Sequence, residues 1–140
     1  MEPKPHPVVL ENVYFTRSVV VAIPEHKPDN GVLAASPTNT VDIAAIDDDE
    51  GRYVATMRTI LNQEGNPSTP YHIDMESIGT FVVDRELPKE EAQRAVMITA
   101  HSVLYGAIRE AVAWITGRQP YGQVTLGLSI LKPLNKPNDV

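Results

Sequence analysis

From Val8 to Ile23 the chain is dominated by β-branched and aromatic residues broken only by short polar insertions, the composition of a long strand. Pro24 to Pro37 gathers Pro, Asp, Asn, Gly and Ser, all turn formers, and predicts a long loop. Thr40 to Ile46 and Tyr53 to Leu61 read as two further strands. They flank Asp47-Asp48-Asp49-Glu50-Gly51, where like charges need water and glycine tolerates positive φ, so a hairpin is expected there. After a second turn, Gln63 to Pro70, the alternation is at its clearest: Tyr71, Ile73 and Met75 point one way, His72, Asp74 and Glu76 the other. It weakens at Gly79, a mark of a bulge or of close backbone approach.

At Leu87-Pro88 the period changes. Proline suits a first helical turn, and Glu90 and Glu91 follow where the helix dipole favours negative charge. Val96, Ala100, Val103, Leu104, Ala107, Ile108, Ala111, Val112 and Ile115 then form one broad apolar stripe, closed by Gly117, Arg118 and Pro120. Val124 to Leu131 reads as extended, while residues 1–7 and 132–140, rich in proline and charge, read as flexible tails of a single domain spanning 1–140. Strands in succession without intervening helices imply an antiparallel sheet. The fold class is therefore α+β, a four-stranded antiparallel sheet with a long C-terminal helix packed on one face. One helix covers only part of such a sheet, and Tyr105 and Trp114 lie off its main stripe. Copies of the chain that bury helices between sheets would supply the missing surface.

Composition narrows the function classes. The hydrophobic fraction of 42% and charged fraction of 21% are those of a folded soluble domain. A net charge of −6 repels phosphate backbones, which argues against nucleic acid and anionic membrane as partners. With no cysteine there is no thiolate nucleophile or thiolate metal site, and the cytosol is the expected compartment. Met1 to Pro7 lacks the apolar run of a signal peptide, and no stretch approaches a membrane span.

Chemistry-bearing patterns are weak. Counted from Asp47 as an EF-hand loop, Gly51 falls at the fifth position instead of the sixth and Arg58 stands where the twelfth-position glutamate belongs, so a solvated hairpin is the better reading. His6, His26, His72 and His101 form no pair at ligand spacing on one element. His101 with Asp74 or Glu110 and Ser102 would supply the parts of a general-base site, but nothing in their spacing assembles them. The glycines at 117, 122 and 127 lack the Lys-Ser/Thr and the following helix of a phosphate loop. No enzyme and no cofactor is implied.

Ser102-Val103-Leu104-Tyr105-Gly106-Ala107-Ile108-Arg109-Glu110, then Gly117-Arg118 and Tyr121-Gly122-Gln123-Val124-Thr125-Leu126, resemble the corresponding stretch of the SecB export chaperones, N-I-L-F-P-Y-A-R-E and later S-R-G-T-F-P-Q-L-N-L, without a gap. Val13-Tyr14, Tyr53, Arg58, Asp74-Met75 and Gly79-x-Phe81 agree more loosely and in the family's order, so the resemblance spans about Leu10 to Leu131. It implies a dimer of dimers that holds unfolded polypeptides in apolar grooves without nucleotide. Groove candidates are Tyr14, Phe15, Tyr53, Met57, Tyr71 and Tyr121, and oligomer contacts are expected at Tyr105, Arg109 and above all Trp114. A face for the SecA motor would centre on Asp74 and Glu76, although Arg17 and Val21 stand at usually acidic positions. The family's second helix is blocked by Pro133 and Pro137. The alternative implied is a SecB-like module dedicated to one partner, toxin-antitoxin-associated or phage-borne and not coupled to SecA.

Overall fold

The computed structural model describes residues 7–24, 37–47, 51–61 and 70–129. The expected N-terminal tail before Pro7, the C-terminal tail with Pro133 and Pro137, most of the long loop, the turn after Leu61 and the acidic tip of the hairpin lie outside the described residues. Strands β1 (Val8–Ala22), β2 (Thr38–Asp47), β3 (Arg52–Leu61) and β4 (Tyr71–Val83) precede one helix, α1 (Lys89–Thr116). They form one antiparallel sheet in the order β1-β4-β3-β2, which is the α+β architecture the pattern predicts. Strands β1 and β2 therefore sit on opposite edges, three inter-strand spacings or about 14 Å apart. Their separation explains the length of the turn-rich connection.

Register decides which side chains meet α1. Ser77 and Gly79 of β4 face Met57 and Ala55 of β3 on one side and Phe15 and Val13 of β1 on the other. Tyr53, Ala55, Met57, Tyr71, Ile73, Met75 and Phe81 are all buried on that face. Each fully buried large side chain contributes about 1.5–3 kcal/mol relative to exposure. The ladder runs through Gly79 without interruption. What Gly79 provides is room: a Cβ there would stand 2.9 Å from the Phe81 ring and 3.1 Å from Leu104 of α1. The irregularities fall on the two edge strands instead: Glu11 and Thr16 are extra residues of β1, between Leu10 and Asn12 and between Phe15 and Arg17, and Ile46 is extra on β2 between Ala45 and Asp47. Each bulge reverses the in-out parity of the strand.

Helix α1 begins after Pro88, carries Glu90 and Glu91 in its first turn and ends where Gly117 N–H bonds Ala113 O. Its buried line, Ala92, Val96, Ala100, Leu104, Ile108, Val112 and Thr116, advances four residues at a time. That line runs antiparallel to β4, from the Tyr53 and Val83 end of the sheet to the Tyr71 end.

Candidate functional site: the two flanks of the helix

Beyond α1 the chain turns back on itself. Tyr71, fully buried on β4, donates a hydrogen bond to Gly122 O at 2.8 Å and accepts one from Tyr121 N–H at 3.1 Å, and burial pushes its hydroxyl pKa up. Gly122, at φ +83°, takes the left-handed conformation that reverses the chain. The following residues then run along α1 in the opposite direction. Val124 N–H bonds Thr116 Oγ1 at 2.9 Å, Arg109 Nε donates to Leu126 O at 2.9 Å, the Tyr105 hydroxyl donates to Gly127 O, and His101 Nε2 lies 3.1 Å from Ser129 Oγ.

From Thr116 back to His101 the helix rises about 22 Å, and the five residue steps from Val124 to Ser129 reach about 17 Å when extended. The segment is thus nearly straight. Val124 and Leu126 are buried while Thr125, Gly127 and Leu128 are exposed, Leu128 to 85%. The expectation of an extended stretch holds as far as Ser129, where the described residues end, and among the described residues the segment joins no strand. It is a strap on the helix, on the flank where Tyr105 sits near Asn39 of β2.

Tyr105 is buried, its pKa raised by burial, and half-buried Arg109 lies 6.0 Å over its ring; within the chain both bond the strap. Sequence periodicity put Tyr105 off the main stripe, and its cover here comes from within the chain. Tyr53, Met57 and Tyr71, expected as groove residues, are buried in this chain, because alternation turns all three toward α1.

The opposite flank is open. Nine residues separate Tyr105 from Trp114, half a revolution at 3.6 residues per turn. Trp114 is 61% exposed, with the Arg118 guanidinium 3.8 Å from the centre of its ring. Val103 and Ala107, half-buried, share its side. On the helix side of the sheet, Leu10 and Phe15 of β1 keep 44% and 39% of their surface exposed, Leu10 beside Phe81 near the start of α1 and Phe15 beside Ser77 in mid-strand, while Trp114 lies toward the other end. Tyr14, exposed to a similar degree, pairs with Ile78 on the outer face of the sheet, so Tyr14 and Phe15 do not share a groove. Tyr121 packs edge-to-face on Tyr71 and bonds Ile23 O at the end of β1.

On the outer face, Asp74 is 5% exposed. Arg58 binds both of its carboxylate oxygens, at 3.1 and 2.8 Å, and Arg17 Nε binds one at 2.8 Å. The hydrogen bonds from Arg58, reinforced by Arg17, hold its pKa below the ordinary carboxylate value against the opposing effect of burial. Glu76 accepts from Thr16 Oγ1 at 2.6 Å. Asp74 is therefore a neutralised cross-strand tie and not an open acidic patch. The sheet also separates it from His101 and Ser102, so the parts of a general-base site are not brought together. Burial lowers the His101 pKa. A half-open pocket at the start of α1, lined among others by Tyr53, Asp84, Arg85 and Lys89, sets opposite charges side by side. Among the described residues no three His, Asp or Glu side chains converge to hold a metal.

Comparison with solved structures places this fold. The chain superposes on the SecB-like chaperone Rv1957 of Mycobacterium tuberculosis, solved in complex with a ChAD peptide from the antitoxin HigA1 (Rv1956), with a TM-score of 0.67 and 20% identity over 91% of this chain and 94% of that one. A Streptococcus agalactiae protein of unknown function matches with a TM-score of 0.56 and 17% identity, covering 86% of this chain and 97% of its own. No protein-family model matches the sequence. No curated protein matches it either. The chain has the SecB-like fold.

Proposed function

We propose that this protein is a SecB-like chaperone that holds non-native polypeptides by apolar contact without nucleotide. The observation that carries the reading is the open flank, where Trp114, Leu10 and Phe15 stay exposed and Val103 and Ala107 are half-buried, in a chain with the SecB-like fold. Apolar affinity is non-directional, which is what a binder of many unfolded sequences requires. Support for a polypeptide as the ligand comes from the neighbour Rv1957, whose structure holds an antitoxin peptide.

That neighbour also supports the second reading, a module dedicated to one partner chain. Export coupling through SecA has little to dock on, since Asp74 is tied to two arginines. Self-association is part of the proposal: a dimer of dimers would weigh about 60 kDa from the 15.4 kDa chain.

The test is suppression of aggregation of a chemically denatured reporter at stoichiometric amounts, without ATP. Full suppression supports the holdase. No effect on any of several reporters, together with capture of one dominant protein from the native lysate, replaces it with the dedicated module.

A further inference from the structure

The strap is bound in a manner that does not depend on its sequence. Arg109 and Tyr105 take hold of the carbonyls of Leu126 and Gly127, groups that every peptide carries, and two apolar recesses take side chains two residues apart, Val124 and Leu126. Its N–H anchor, Val124 to the Thr116 hydroxyl, is likewise main-chain on the strap's side. Any extended segment with aliphatic side chains at positions i and i+2 offers the same groups, because alternate side chains of an extended chain point the same way. The groove on the Tyr105 flank therefore reads as a built site for extended polypeptide, with the chain's own Gln123 to Ser129 as its occupant.

The attachment also has the form of a removable one. The strap hangs from a left-handed glycine, Gly122, and no ladder of backbone bonds joins it to the sheet among the described residues. Three of its six residues from Val124 on are exposed, including Leu128, an apolar side chain left in water.

We propose that this groove is an exchangeable polypeptide site: the strap fills it when the protein is idle, and an extended client carrying an aliphatic-x-aliphatic step displaces the strap and takes over the Arg109 and Tyr105 anchors. Client identity at this site rests on the chaperone reading above, whereas exchange of the strap does not. The strap sets a threshold, since a client's apparent affinity is its intrinsic affinity reduced by the fraction of protein whose groove is open.

Two measurements test this on the full chain. A fluorescein-labelled, end-blocked heptapeptide of the sequence Gln123 to Ser129 is titrated against wild type and against Leu126→Ala and Val124→Ala, variants that each remove one side-chain anchor of the strap and leave the groove's own groups in place. Tighter binding to a folded variant by about tenfold or more, abolished when aspartates replace the peptide's residues equivalent to Val124 and Leu126, is the expected result. Val124→Ala, the smaller truncation, reports if Leu126→Ala fails to fold. Equal binding to all three proteins, or none, overturns the proposal. Hydrogen exchange is then followed at residues 123–129 with saturating reduced, carboxymethylated α-lactalbumin. Faster exchange of the strap on client binding supports displacement; a bound client that leaves strap exchange unchanged overturns it while sparing the chaperone reading. Peptide exchange with no binding of the unfolded protein supports the groove and overturns the chaperone reading instead.

Discussion

Thr116 is the hinge pin of the strap, and its replacement by valine tests the geometry with little change of shape. The residue is fully buried at the last position of α1, where its hydroxyl donates to Val112 O at 2.7 Å and accepts from Val124 N–H at 2.9 Å. Valine keeps the volume and removes the acceptor, which leaves the buried Val124 N–H without its partner. An orphaned buried donor costs about 1–3 kcal/mol. For a chain of 140 residues, with an unfolding entropy of about 2.1 cal/mol/K per residue, that is a fall in Tm of about 3 to 10 °C. Serine is the control, since it keeps both bonds and loses one buried methyl, worth about 1 kcal/mol or about 3 °C. The assay is thermal unfolding followed by circular dichroism at one fixed protomer concentration, so that any linkage to assembly is held constant. Thr116→Val melting at or above Thr116→Ser would show that the hydroxyl is not the strap's anchor.

Three further outcomes are expected. Asp74, held below its usual value first by the Arg58 hydrogen bonds and then by Arg17, adds stability that is present above about pH 4 and lost as pH falls through its folded value; Asp74→Asn, costing about 1 kcal/mol at neutral pH because both guanidiniums are half-exposed, should flatten that acid limb in urea titrations at pH 3 to 6. His101, lowered by burial, binds fewer protons folded than unfolded below about pH 6.5, so the urea midpoint of wild type should drop between pH 7 and pH 5 and that of His101→Gln should drop less; identical slopes refute a buried neutral imidazole. At Gly106, exposed in mid-helix with nothing within 4 Å of an added Cβ, alanine should stabilise by about 0.5–1 kcal/mol, while Gly106→Trp should shift light-scattering mass toward smaller species if subunits meet across the open flank.

How far the sequence disclosed this molecule can be traced along β4 and β1. β4 lies between two strands and under the helix, so its inward and outward positions differ sharply, and Tyr71-His72-Ile73-Asp74-Met75-Glu76 shows a clean period of two. β1 is an edge strand carrying two bulges, and each one reverses parity, so Val8, Val13 and Val20 share the helix face although no fixed period links them. Periodicity thus located β1 without orienting it. The start of α1 at Pro88 was legible because proline and two glutamates act locally. The cover over Tyr105 was not, because it depends on a reversal at Gly122 whose left-handed backbone any glycine permits and none announces.

That difference explains why the candidate site was only half visible. Counting apolar residues on α1 shows that the helix has more than one sheet can bury, but the count is silent on which flank the chain covers for itself. Two signals pointed to the answer. Val124, Leu126, Leu128 and Ile130 recur at a step of two after the helix, the pattern of an extended segment whose alternate side chains can line one helix flank. Arg109, lying about 40° beyond Tyr105 around the helix, is long enough to reach a carbonyl passing over that ring and supplies a cation with no acidic partner at helical spacing on its own flank. A strap on the Tyr105 side leaves Trp114, half a revolution away, as the aromatic that the described residues leave most exposed.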